Sequence, residues 1–192
     1  NDNKFSLEDL NEKAIKIEGH PDNVTPCFFG GLTISIFNEE NNKWITRKID
    51  VPNELNIMVF TPNFISNTNN SRKKLPKSVS RSAAVYNISR AALLIDSLNK
   101  NDFTLLNEAT KDLLHQDTRL KGFPEMKSIM NSAMNGGALG TIVSGSGPSI
   151  MIFSKGNEFT IDYEIKETAR KHNLEGNIIL TKPSNQGISL SK

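Results

Sequence analysis

Glu18-Gly19-His20-Pro21-Asp22-Asn23-Val24-Thr25-Pro26, running on through Cys27-Phe28-Phe29 to Gly30-Gly31, decides how this chain is read. A carboxylate, an imidazole, a second carboxylate and a carboxamide are crowded between Glu18 and Asn23. Pro21 and Pro26 stiffen the backbone on either side of them. An ordinary turn needs Gly, Pro or Asn, but not a run of side chains that can donate, accept and titrate. On local chemistry alone the stretch reads as a polar loop between a helix and a strand.

Upstream, Ser6 and Asp9 form a capping-box pattern, and Leu7, Leu10, Ala14 and Ile17 recur at helical spacing. A helix is therefore predicted up to about Ile17. Glu12 falls roughly 200° around that helix from Leu10, away from the apolar stripe. By position it is a solvated glutamate. Downstream, Leu32–Phe37 alternates as a strand and pairs with a second strand over Trp44–Val51. Cys27 lies in an apolar run and reads as packing. Pro52-Asn53 marks a boundary, which divides the chain into 1–52 and 53–192.

The second segment opens with a strand over Leu55–Phe60, and a polar tract from Ser66 to Lys74 follows. From Pro76 a long helix is predicted with Ala84, Ile88, Ala91, Ile95 and Leu98 on one stripe. Asp102 is expected to cap the next helix, with Leu106, Ala109 and Leu113 inside. Pro124 starts a third, ended by Gly136-Gly137. Apolar runs at 139–143 and 150–153 flank Ser144-Gly145-Ser146-Gly147-Pro148-Ser149. A helix from Thr160 to His172, closed by Gly176, and a strand over Asn177–Thr181 finish the chain. This order implies an α+β fold with helices on one side of a sheet.

The glycine turn at 144–149 lacks the lysine of a P-loop and the third glycine of a dinucleotide fingerprint. A strand follows it, so there is no helix N-terminus to hold a phosphate. His20 has no companions that would complete a zinc site, and His115 and His172 read as surface residues. Arg72, in the polar tract, and Arg119, in His115-Gln116-Asp117-Thr118-Arg119, present planar forks suited to a carboxylate. Arg90, inside the long helix, is a third candidate.

Composition limits the function classes. With 192 residues, 36% hydrophobic and 23% charged, the chain is a soluble globular type. A net charge of +2 and a pI near 8.6 do not argue for nucleic acid, and no basic face is interleaved with aromatics. One cysteine excludes an intrachain disulfide framework and fits a reducing, cytoplasmic compartment. No apolar stretch is long enough to span a bilayer.

Read together, Glu18-Gly19-His20-Pro21-Asp22-Asn23-Val24 and Gly140-Thr141-Ile142-Val143-Ser144-Gly145-Ser146-Gly147-Pro148-Ser149 resemble the second and third motifs of the GHMP small-molecule kinases. The first block is most similar to the branch that phosphorylates L-homoserine, and the likeness runs from about Ser6 to Ile188. The family's first motif, a Ser/Gly-rich phosphate loop, has no counterpart here. The expectation is therefore the C-terminal part of a longer enzyme, unable to turn over ATP by itself.

The resemblance implies the GHMP kinase fold. Residues 1–52 would be the end of a ribosomal-protein-S5-like N-terminal domain, and 53–192 a ferredoxin-like C-terminal domain. It implies transfer of the γ-phosphoryl group of ATP, with Mg2+, to the side-chain hydroxyl of homoserine on the way to threonine. Glu12 would ligate Mg2+. His20 and Asp22 would line the catalytic acceptor site, and Asn23 would bind the acceptor's polar end. Arg72 and Arg119 would grip its carboxylate, and Ser146 and Gly147 would lie against the phosphates. No general base is assigned. The expected partners are the small-molecule acceptor, the missing N-terminal segment and a second copy in a homodimer. Two other readings stay open: a kinase for mevalonate or a sugar, and a non-catalytic amino-acid-binding or scaffold domain.

Overall fold

The computed structural model describes residues 5–64 and 75–189. The chain divides into two compact units, Asn1–Pro52 with Pro183–Lys192, and Asn53–Lys182.

In the first unit, α1 spans Leu7–Glu18. Ser6 accepts the Asp9 amide at 3.1 Å while the Asp9 carboxylate accepts the Ser6 amide at 2.9 Å, completing the capping box. Gly19 ends the helix in the left-handed conformation that favours glycine. Its buried residues are Asn11 and Ile15, whereas Leu7, Leu10 and Ile17 are exposed. The expected stripe is thus the wrong one. The inward face begins one position later, and Glu12 is half-buried at its edge.

The polar block does not run on as a loop. Val24–Phe29 forms α2, a short helix that carries Pro26 in its first turn, where a missing N–H leaves no bond unmade. Cys27 lies on its exposed side, so the packing reading of that residue is corrected. β1 (Leu32–Asn38) and β2 (Lys43–Ile49) form the expected antiparallel hairpin, with Phe37 directly across from Trp44. Their rings meet edge-on at 5.4 Å.

The tail at 183–189 returns to this unit, so the expected second domain, 53–192, is compact only to Lys182. The Gly31 amide donates to Ser184 at 2.7 Å and the Ile188 amide to Cys27 at 3.0 Å. The Asn185 carboxamide bonds Val51 twice, accepting from its amide and donating to its carbonyl, each at 2.8 Å. A Cβ on Gly187 would lie 1.9 Å from the Phe28 carbonyl oxygen, so only glycine lets the two backbones approach this closely. Asn185→Ala is expected to loosen the tail by about 1–3 kcal/mol, since Val51 keeps two unpaired groups. Hydrogen exchange at the Gly31 amide, a bond Asn185 does not make, should accelerate correspondingly.

The second unit is a four-stranded antiparallel sheet in the order β4-β5-β3-β6. Its strands are β3 (Asn56–Pro62), β4 (Gly140–Val143), β5 (Ile150–Ser154) and β6 (Gly176–Thr181). Helices α3 (Arg81–Lys100), α4 (Leu106–Ala109), α5 (Gln116–Leu120) and α6 (Glu125–Asn135) separate β3 from β4. A last helix, α7 (Glu158–Lys171), joins β5 to β6. This is the β-α-β-β-α-β plan of a ferredoxin-like domain.

Met58, Phe60, Ile150 and Ile152 of the sheet meet Met126 and Ile129 of α6 and Ile161 and Ile165 of α7 in one core. Burying each such side chain is worth about 1.5–3 kcal/mol. A Cβ on Gly136 would lie 2.8 Å from the Ile161 Cα, which fixes how closely α6 and α7 approach.

Three expectations are corrected in this unit. Ile88 of α3 is 69% exposed and Ala91 is exposed, while Asn87 and Arg90 are half-buried, so the inward face carries polar residues. The helix expected after Asp102 breaks into α4 and α5. Asp102 accepts from Thr104 in a local turn instead of capping, and Leu113 is 54% exposed. Gly176 opens β6 instead of closing α7, because a Cβ there would strike the Phe60 ring at 2.6 Å.

Candidate active site

In the first unit, the left-handed Gly19 turns the chain out of α1 and places His20 between two carboxylates. Its Nδ1 pairs with Asp22, and its Nε2 lies 3.4 Å from Glu18 Oε1. The ring is largely buried, whereas Asp22 is 69% exposed. Asp22 also accepts the Asn23 amide at 3.1 Å. Asn23 stands at the N-cap of α2 without a side-chain cap bond and is exposed, so its carboxamide faces solvent as a ligand group would. His20, Asp22 and Asn23 therefore form one cluster, fixed by the ring at one end and open at the other.

Glu12 is 23% exposed and pairs with Lys16 at 3.1 Å. It borders a cavity of about 320 Å³ together with Asn11, Lys43, Thr46 and Lys48. The Asn11 Oδ1 atom is buried with no hydrogen-bond partner among the described residues. Those residues contain no group of three or more His, Cys, Asp or Glu side chains able to hold a metal. Glu12 can therefore give a divalent cation one oxygen ligand. That suits Mg2+, which takes one or two carboxylates and fills the rest of its shell with phosphate oxygens and water.

In the second unit, Arg119 lies on α5. Its Nε and Nη1 atoms are buried and have no hydrogen-bond partner among the described residues. Buried N–H groups left unpaired are costly, and the residue as a whole is half-buried, so its charge stays within reach of an anion. The competing Arg90 is engaged at its tip: Nη2 donates to Glu108 at 3.3 Å, Nη1 to the Tyr86 carbonyl at 3.3 Å, and its guanidinium carbon sits 3.2 Å from the Tyr86 ring centroid, while its Nε, like that of Arg119, is buried without a partner among the described residues. Arg72 lies outside the described residues.

The turn at 144–149 closes through Ser144 donating to Ser149 at 2.8 Å and Gly147 donating to Ser144 at 2.9 Å. Gly145 and Gly147 adopt positive φ, and the Gly147–Pro148 bond is cis. Because the Gly147 amide is committed inside the turn, a phosphate would find the Ser146 hydroxyl, whose contact with the Gly147 carbonyl is long at 3.5 Å.

Asp112 was not singled out from sequence. Its carboxylate, 7% exposed, accepts the amides of Leu114, His115 and Gln116 at 3.1, 2.7 and 2.6 Å, the Asn87 carboxamide at 2.6 Å, and bonds His115 Nδ1 at 3.0 Å. Burial alone would push its pKa up. The donors from Gln116, His115, Asn87 and Leu114 outweigh burial and hold it down at about 2, against an ordinary 3.8. A depressed carboxyl stabilises the fold fully above its ordinary value, and that stability is lost as pH falls from there through the depressed value. The contribution is about 2 kcal/mol. The stability difference between the protein and Asp112→Asn should therefore be constant above about pH 5 and shrink toward pH 2, as read by denaturant titration at each pH.

Residues 94–170 match the family model described as GHMP kinases C terminal. A homoserine kinase of Clostridium beijerinckii is 40% identical over 187 residues, covering 97% of this chain and 62% of that protein. A homoserine kinase of Clostridium botulinum is 36% identical over 189 residues, covering 98% of this chain and 63% of that protein. The chain thus spans a little over three fifths of the length of these curated relatives. Among solved structures, homoserine kinase from Cytophaga hutchinsonii superposes with a TM-score of 0.84 at 26% identity, covering 97% of this chain and 61% of that one. L. major mevalonate kinase in complex with R-mevalonate gives 0.66 at 18% identity, covering 94% and 60%, a likeness of fold alone.

Proposed function

We propose, from the premise that this chain carries the GHMP kinase C-terminal domain and is similar to homoserine kinases along nearly its whole length, that it is the acceptor-binding part of an ATP-dependent kinase for L-homoserine. The product is O-phospho-L-homoserine, an intermediate on the way to threonine, and the reaction is cytoplasmic. The observation that carries this reading is Arg119: its guanidinium Nε and Nη1 atoms have no protein partner among the described residues, which leaves its charge for an anionic group of the acceptor.

Each residue then has a task on the substrate side. Arg119, with Arg72 as its proposed companion, holds the acceptor carboxylate. Asn23 and the exposed Asp22 accept from the ammonium group, and His20, clamped by Asp22 and Glu18, fixes the loop that presents them. Glu12 holds Mg2+, which neutralises charge on the phosphates of ATP. Ser146 contacts those phosphates. Such transfer depends mainly on positioning and charge neutralisation, so none of these residues needs to form a covalent intermediate.

The test is an acceptor panel with the full-length protein, MgATP and L-homoserine, its neutral carboxamide, mevalonate and a hexose, the phosphorylated product being identified by mass. Homoserine is expected to be the preferred acceptor, with the carboxamide at least about ten-fold poorer in kcat/KM. A preference for mevalonate or the sugar, or no transfer to any acceptor, overturns the assignment.

A further inference from the structure

Arg119 stands on a helix of five residues, too short to hold its own position. What holds it is a set of buried and half-buried polar side chains outside the proposed site. At the start of α5, the Asp112 carboxylate gathers the amides of His115 and Gln116, groups a helix N-terminus leaves unpaired, and that of Leu114 just before them. Asn87, on the 20-residue α3, grips this turn twice, donating to Asp112 at 2.6 Å and accepting the Leu113 amide at 3.0 Å. Gln116, 8% exposed, accepts the Val143 amide at 2.7 Å and donates to the Thr110 carbonyl at 3.1 Å. Val143 ends the edge strand β4 and precedes the turn that carries Ser146. Three side chains thereby tie Arg119 to the long helix on one side and to the glycine turn on the other.

We infer that Asn87, Asp112 and Gln116 are positioning residues that hold the Arg119 fork and the 144–149 turn in one register. The inference rests on the reading of Arg119 as the carboxylate receptor. None of the three touches substrate; each acts through α5. A fork that must meet a carboxylate in two parallel bonds tolerates little displacement. Deleting one tie should therefore act much as deleting part of Arg119 does.

The test is a double-mutant cycle in the full-length protein. Gln116→Met keeps the side-chain volume and removes both of its hydrogen bonds, while Asn87→Ala removes the grip from α3. Each alone is expected to lower kcat/KM for homoserine by about ten-fold, mostly through KM, and to leave the KM for ATP unchanged. In an Arg119→Ala background the same changes should subtract less than about two-fold more, because the residue they position is gone. A general loss of structure would multiply through both backgrounds.

A second readout needs no activity. In ligand-free protein the buried Arg119 Nε–H should exchange slowly with solvent, and Gln116→Met should speed that exchange at least several-fold while amides of β3 and β5 stay protected. If Arg119→Ala itself leaves homoserine kinetics intact, the reading of Arg119 fails, and exchange at Nε alone then judges the ties. If Arg119→Ala is damaging but the tie variants multiply fully with it, or leave both kcat/KM and Nε exchange unchanged, the positioning inference is overturned.

Discussion

Arg119→Ala is expected to lower kcat/KM for homoserine by about ten- to a hundred-fold in the full-length protein. A charge-assisted hydrogen bond is worth roughly 1.5–3 kcal/mol, and each 1.4 kcal/mol is ten-fold in kcat/KM. Two N–H groups of Arg119 have no partner among the described residues, and the loss expected is about one such bond's worth. Most of it should fall in KM, because the carboxylate is remote from the phosphoryl group and is held alike before and during transfer. Apparent affinity for ATP should barely change. Arg119→Lys restores charge without the fork, so it should recover only part of the loss. The neutral carboxamide of homoserine separates a local effect from a general one. It should be poor with the parent protein and lose little more with Arg119→Ala. Equal losses for acid and amide, in a variant that melts normally, would remove Arg119 from the acceptor site.

The sequence exposed much of this arrangement because the relevant signals were local. The capping box at Ser6–Asp9, the hairpin from Leu32 to Ile49 and the strands around the 144–149 turn each follow from a few adjacent residues, and all stand where they were expected. What stayed hidden depended on residues far apart. The tail at 183–189 has no periodicity of its own; it is placed by Asn185 meeting Val51 and by Gly187 passing under Phe28. The inward face of α3 was misassigned because apolar spacing favoured Ile88, whereas tertiary partners draw Asn87 and Arg90 inward. Asp112 was overlooked for the same reason. Inside an expected helix it carries no signal of its own, yet an Asp four residues before Gln116, followed by a fresh helical turn, is a readable start signal. For the site, His20, Asp22 and Asn23 are neighbours in the sequence and stand together in the structure, but nothing in the sequence distinguishes Arg90, which donates through both Nη atoms, from Arg119, whose Nη1 has no partner among the described residues. Only the partners at Glu108 and Tyr86 do so.

Glu12→Gln is the second large effect expected. Two roles for Glu12 compete, and their magnitudes differ enough to be separated. As half of a pair with Lys16, four residues on and 68% exposed, Glu12 would contribute about 0.3–0.5 kcal/mol to α1 and nothing to rate. As the protein's oxygen ligand to Mg2+ its loss should be far larger, since even residues that only support metal ligands cost about 10–100-fold when changed. Glu12→Gln keeps the length of the side chain and its place beside the cavity, so α1 and the fold should persist while kcat falls by about a hundred-fold. A carboxamide is a weaker ligand than a carboxylate for a hard cation, so raising Mg2+ should restore part of the rate and the apparent metal requirement should rise. Lys16→Met is the control. It removes the same ion pair from the other side but frees the carboxylate, so it should leave the rate and the Mg2+ requirement close to those of the parent. If both variants are silent in rate at limiting Mg2+ and each shifts stability by no more than about 0.5 kcal/mol, Glu12 is only the partner of Lys16. The metal's protein ligand must then be sought elsewhere in the full-length chain.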